Sequence, residues 1–166
     1  MPYYAGIGSR KAPEKYLRLA KKIASFLEKK GYILRSGAAA GMDSAFEDGL
    51  EDHRNSEIFV PWPSFGSMNY KYNSVCEWAL SIAKKYHPNW NALKSSGTLL
   101  MGRNTYQVLG PDEDSEKSEF VICWTNPKKG GTLQAIRIAQ DYSIPVYNMY
   151  YPSETEKFLS MLKGMK

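Results

Sequence analysis

The stretch Ser36-Gly37-Ala38-Ala39-Ala40-Gly41-Met42-Asp43 constrains this chain most, because it carries almost no side chain and lies where one periodicity gives way to another. Upstream, Gly31-Tyr32-Ile33-Leu34-Arg35 has the β-branched and aromatic content of a short strand. Downstream, Asp43-Ser44-Ala45-Phe46-Glu47 predicts a helix, with Asp43 as its cap or as an anion at its positive end. Glycine in such a turn permits positive φ and lets a ligand approach the backbone, which the free N–H groups of the helix start then face. The turn suits a phosphate. Its competing reading is a tight connection whose small residues serve helix–sheet packing.

The same strand–turn–helix grammar runs through the chain. Tyr3–Ile7 reads as a first strand, followed by Gly8-Ser9-Arg10 and a helix from about Pro13, whose Leu17, Ala20, Ile23, Ala24 and Leu27 repeat at helical spacing. Glu57–Val60 reads as a third strand, stopped by Pro61-Trp62-Pro63, and 64–72 as a surface loop. Helices are expected over 74–87 and 90–109, with Pro88 between them and Gly97 weakening the second. Asp112–Glu116 is an acidic solvated loop, and Phe120–Trp124 is an apolar run of the kind covered on both faces of a sheet. Gly130-Gly131-Thr132 opens a helix to about Tyr142, Pro145–Asn148 is a last strand, and 154–163 is a closing amphipathic helix. Alternating strands and helices predict an α/β fold, a Rossmann-like parallel sheet flanked by helices on both faces.

Composition narrows the class without naming a function. The 166 residues fit a single domain over 1–166, with 43% apolar and 23% charged residues and a mild net charge of +5 that suits an anionic partner. Cys76 and Cys123 make neither a metal spacing nor a disulfide framework, and His53 and His87 have no partner at ligand spacing, so no metal and no cofactor are expected. No apolar run reaches membrane-spanning length, and Met1-Pro2-Tyr3-Tyr4 leads into a strand, which points to a cytoplasmic protein without a membrane partner.

In a doubly wound sheet, ligands bind beyond the carboxyl ends of the strands. Three small-residue turns fall there: Gly6-Ile7-Gly8-Ser9-Arg10, Ser36-Gly37-Ala38 through Gly41 to Asp43, and Gly130-Gly131-Thr132. Ser9 and Thr132 offer hydroxyls to a phosphate, and Arg10 a charge-assisted fork or an ordinary surface ion pair. Trp62 and Trp124 lie near the same rim, each readable as a base-stacking ring or as core. Arg103-Asn104, with Gln107 one turn on, puts polar groups on one helix face, either for a ligand or for solvent.

These motifs, in this order, resemble the SLOG superfamily, which unites the Rossmann-like domain of the DNA-processing protein DprA/Smf with the LOG phosphoribohydrolases. The resemblance runs from about Tyr3 to Asn148; Ser36–Asp43 looks most like the DprA branch, and the compact chain looks like stand-alone members often carried by phages. It implies a site at Gly8, Ser9, Arg10, Ser36, Gly37, Ala38, Gly41, Asp43, Trp62, Arg103, Asn104, Gly130, Gly131 and Thr132. It also implies a homodimer or higher oligomer, for which the 74–87 and 90–109 helices are candidate surfaces. Two departures stand out. The glutamate of the LOG signature is replaced by Ala135, beside neutral Gln134, so no catalysis is expected unless Asp43 or Glu47 substitutes. Compared with full-length DprA proteins, the additional helical modules are not expected in this chain. The leading expectation is therefore non-catalytic binding of a nucleotide or nucleotide-derived signal, as a sensor or a sponge of the phage anti-defence kind. Single-stranded DNA binding of the DprA kind comes second, and a LOG-like hydrolase third.

Overall fold

A computed structural model of the chain describes residues 2–165; Met1 and Lys166, the ends of the expected domain, lie outside them. The parallel strands are β1 (Tyr3–Gly8), β2 (Ile33–Ser36), β3 (Ser56–Ile58), β4 (Val121–Trp124) and β5 (Val146–Asn148). They pair in the order β3-β2-β1-β4-β5, with β1 at the centre. Six α-helices connect and close the described chain: α1 (Glu14–Lys29), α2 (Met42–Asp48), α3 (Glu77–Tyr86), α4 (Ser95–Leu109), α5 (Thr132–Asp141) and α6 (Pro152–Lys163). The α/β Rossmann-like fold read from the sequence is the fold observed.

Strand alternation decides which helices cover which face. Tyr4, Leu34 and Ile122 point to one side, against Ile23 and Leu27 of α1, Phe46 of α2 and Phe158 of α6. Ala5, Ile7, Val121 and Cys123 point to the other, against Val108 of α4 and Ala135 and Ile138 of α5. The α3 helix lies outside α4, and Ala79 joins Phe59 and Tyr106 in a third, smaller apolar cluster. Both sheet faces are thus sealed, as a parallel sheet requires.

Two segments differ from the sequence expectation. The helix expected over 90–109 is broken: a 3-10 turn at Trp90–Ala92 precedes α4, and Gly97 falls in the first turn of α4, where its weak helix propensity costs little. The loop expected over the surface at 64–72 lies there, with Gly66, Ser67, Met68 and Asn69 exposed, but its end is anchored in a way the sequence reading did not foresee. Tyr70 is buried and donates its hydroxyl to Glu47 at 3.0 Å, and Tyr72 pairs with Phe59 in a parallel bridge. Neither anchor has a local pattern, because both are made by residues distant in sequence.

The short α2 helix hangs on Phe46. A Cβ at Gly6 would lie 2.8 Å from both Phe46 Cγ and Leu34 Cδ1, so the bare glycine of β1 is the seat of that ring. Phe46→Ala should therefore lower unfolding free energy in urea by about 3–5 kcal/mol, the range for emptying a fully buried aromatic site.

Candidate functional site

The central pair β1 and β4 is where the winding reverses, since β1 leads on toward β2 and β4 toward β5. At such a switch point the loops diverge and leave a crevice at the carboxyl edge of the sheet. The backbone N–H of Ser9 donates to Trp124 O at 2.9 Å, joining the two loops at the floor of that crevice.

Arg103 and Asn104 reach this edge from α4, and both are buried. Arg103 Nη1 donates to Gly37 O at 2.5 Å and to Phe59 O at 3.2 Å, while its Nε donates to Asn104 Oδ1 at 3.0 Å. Asn104 Nδ2 in turn donates to Gly131 O at 3.0 Å. Two consecutive side chains of one helix therefore hold the turns that follow β2, β3 and β4. Gly37 is bare for this reason, since a Cβ there would collide with Arg103 Nη1 and Gln107 Nε2.

The left-handed residues of the 37–41 turn are Ala38 at φ 59° and Gly41 at φ 85°. A Cβ on Gly41 would also sit 2.6 Å from Ser9 O, so this glycine brings α2 against the loop after β1. Met42 N–H donates to Ser9 O at 3.2 Å, which satisfies the first donor of α2 within the chain.

Asp43 is not a cap. Position Gly41 caps α2, and no side chain bonds there. The Asp43 carboxylate reaches outward from the first turn, accepting Gly8 N–H at 3.1 Å through Oδ1 and Ala39 N–H at 3.4 Å through Oδ2. Burial pushes its carboxyl up to about 6, against the opposing pull of the Arg103 charge and the two backbone donors. The same burial lowers Arg103, with Asp43 holding it up and nearby Arg10 pressing it further down.

The remaining expected site residues fall as follows. Ser9 Oγ accepts the N–H of Lys11 at 3.0 Å, and Arg10 is exposed. The Ser36 hydroxyl is buried with no hydrogen-bond partner among the described residues. Trp62 is half-buried and edge-on to Phe65, with centroids 5.6 Å apart, and the Phe65 ring faces the Arg103 guanidinium at 5.4 Å. Gly130 and Gly131 are exposed, and Thr132 opens α5. The three glycine turns thus meet at one edge, tied by Asp43, Arg103 and Asn104.

Ala135 does not face that edge. It is wholly buried between α5, α4 and the sheet. Its neighbour Gln134 donates to Ala83 O at 2.8 Å and accepts from Arg137 Nη2 at 2.8 Å. Of the two carboxylates considered as substitutes, Asp43 is bound to backbone at the rim, and Glu47 turns toward Tyr70 and His53.

Other side chains at the edge were not singled out from sequence. Lys128 and Lys129 are exposed before Gly130, Lys11 is exposed after Arg10, and Tyr150 and Tyr151 stand 41% and 39% exposed just after β5. Their signal was a Lys-Lys before Gly-Gly and a Tyr-Tyr one residue beyond a strand. Among the described residues no three His, Cys, Asp or Glu side chains cluster as a metal site would require, and no helix is long and apolar enough to cross a membrane.

The fold is similar to that of DNA processing protein A from Helicobacter pylori, whose structure was solved for its single-stranded DNA binding mode. The likeness has a TM-score of 0.60 and 22% identity, and covers 87% of this chain but 63% of that one. No protein-family model and no curated protein sequence matches the chain.

Two measurements test this geometry. The Asp43 carboxyl ionises near 3.9 in an unfolded chain and near 6 in the fold, so between those values the unfolded state alone has lost the proton. The Asp43 contribution to stability is thus fullest below about pH 4, falls as pH rises to about 6, and stays level above. Relative to Asp43→Asn, the wild type should lose about 2–3 kcal/mol over that window, read by urea titration at fixed pH. Ala135→Glu should bury an unpaired carboxylate in the core and cost about 3 kcal/mol or more, read by thermal denaturation.

Proposed function

We propose that this chain binds single-stranded nucleic acid across the carboxyl edge of its sheet. One observation carries the reading. The side chains of Asp43, Arg103 and Asn104 are engaged inward, on Gly8 N–H, Gly37 O and Gly131 O, while exposed Arg10, Lys11, Lys128 and Lys129 border the β1–β4 switch point. A mononucleotide site would draw on the Arg103 and Asn104 donors, which the turn carbonyls already occupy; a passing phosphodiester backbone needs only the outer cations.

The charge layout favours the same partner. The exposed acids Glu51, Asp112, Glu113 and Asp114 lie in loops that enter the sheet at the opposite, amino edge. The amino edge is of mixed sign, with exposed Lys29, Lys30 and Lys117 beside those acids, whereas Arg10, Lys11, Lys128 and Lys129 give the carboxyl edge a positive cluster that attracts a polyanion. The neighbouring structure's recognition of single-stranded DNA supports the reading through the shared fold. A small nucleotide signal, the leading expectation from sequence, is the competing outcome.

Fluorescence anisotropy with labelled oligodeoxythymidylates over a salt series separates the two. Binding should require several nucleotides and weaken steeply with salt. Lys128→Ala with Lys129→Ala should lower the log–log salt slope by roughly 1.4, about 0.7 per phosphate contact on a single strand. Arg10→Ala should weaken binding by about 1.5–3 kcal/mol if it makes a charged hydrogen bond to phosphate. Tight binding of a mononucleotide, with no gain on lengthening the strand, would overturn the proposal.

A further inference from the structure

Beside the basic edge runs a continuous strip of aromatic rings that the glycine turns do not explain. Tyr16 of α1 lies 6.1 Å from Trp124 at the end of β4, Trp124 lies 5.7 Å from Tyr150, and Tyr150 lies 5.3 Å from Tyr151, all between ring centroids. Tyr150 and Tyr151 are two of the three large hydrophobic residues exposed among the described residues. Their backbones are structural: Tyr150 N–H donates to Asn148 Oδ1 at 3.1 Å, Tyr151 N–H to Asn148 O at 3.0 Å. Neither hydroxyl has a hydrogen-bond partner among the described residues. The fold thus fixes where these rings stand and leaves each about two-fifths exposed, Tyr150 at 41% and Tyr151 at 39%.

Asn148 also sets the strip next to the lysines. Its Oδ1 accepts Thr125 N–H at 3.0 Å and its Nδ2 donates to Thr125 O at 3.0 Å, stapling the start of the β4–α5 loop to the β5 turn. Pro127, adjacent to Lys128, and Tyr151 line one hollow of about 350 Å³. At the other end, Lys15 Nζ lies 5.0 Å from the Tyr16 ring centroid. The nearby acids are engaged: Glu14 pairs with Arg18 at 3.8 Å, and Glu154 accepts Asn148 N–H at 2.9 Å.

Resting on the reading above, we propose that Tyr150 and Tyr151, continued by Trp124 and Tyr16, form the surface on which unpaired bases of the bound strand stack. Contiguous exposed rings mark an interaction surface. Lysine is depleted from protein–protein interfaces, so rings bordered by Lys11, Lys15, Lys128 and Lys129 fit a strand whose phosphates meet the lysines while its bases meet the rings. Tyr150 and Tyr151 are set edge to face, at 79°, so they offer separate ring faces and not one plane. The strip selects single strands because a duplex hides its base faces.

The test measures binding of an oligodeoxythymidylate and of the same strand made abasic throughout its central positions. The probes are wild type, the Tyr150→Ala/Tyr151→Ala double variant and the Tyr150→Phe/Tyr151→Phe double variant. Removing the rings should weaken binding of the intact strand about tenfold or more, while the phenylalanine variant retains it, because stacking needs the ring and not the hydroxyl. The abasic strand should bind wild type and the alanine variant equally weakly. Trp124 fluorescence should be quenched by the intact strand, an effect lost in Trp124→Phe. Salt-sensitive binding by wild type that ignores both base removal and ring removal would overturn this proposal while leaving the function standing. No oligonucleotide binding at all would overturn the function and with it the strip. Should the alanine variant fail to fold, the abasic strand on wild type decides alone.

Discussion

The arrangement of the site depends on a buried guanidinium. Arg103 sits inside the protein, 6% exposed, and its donors bond the carbonyls that follow β2 and β3. Beyond the last residues of a parallel sheet the ladder stops, and the peptide groups there need other partners. An arginine supplies several donors in one rigid plane and stays charged when buried, which few other side chains combine. Its cost is desolvation, offset by two carbonyls, the Asn104 amide oxygen and the nearby Asp43 charge.

That one commitment propagates outward. Gly37 must be bare because Arg103 and Gln107 occupy the space of its side chain, and Ala38 then takes the left-handed conformation that the turn still requires. Asp43, drawn into the same buried field, braces β1 to the turn after β2 instead of capping its own helix. Asn104 extends the brace to Gly131. Much of the polar inventory that makes the edge look like a phosphate cradle serves to hold the edge together. The exposed cations and rings around it are left to meet a partner.

How much of this was legible in the sequence follows from the range of each interaction. The strands and most helices were readable because burial of both sheet faces imposes apolar runs such as Val121-Ile122-Cys123, and a helix packed on one side imposes the Ala20, Ile23, Ala24, Leu27 stripe. The joining of the three turns at one edge was readable from the βα alternation itself. The anchoring of Tyr70 on Glu47 and of Tyr72 on Phe59 was not, because neither contact leaves a period in the local sequence. Lys128, Lys129, Tyr150 and Tyr151 were passed over because exposed polar and aromatic residues in loops are ordinary until their neighbours are known.

The sequence by itself determined the α/β class, the strand and helix order and the candidate residues of the edge, since these rest on local propensity and on periodicities a few residues long. Only the tertiary structure decided what those residues do there. Arg103 and Asp43 are separated by 60 positions in the chain yet share one buried electrostatic environment, and Ala135 occupies the sheet–helix core and not the rim. Direction and burial of a side chain are set by what packs on the element from elsewhere. A residue type and its spacing alone cannot tell a group that binds a ligand from one that holds the binding edge in place.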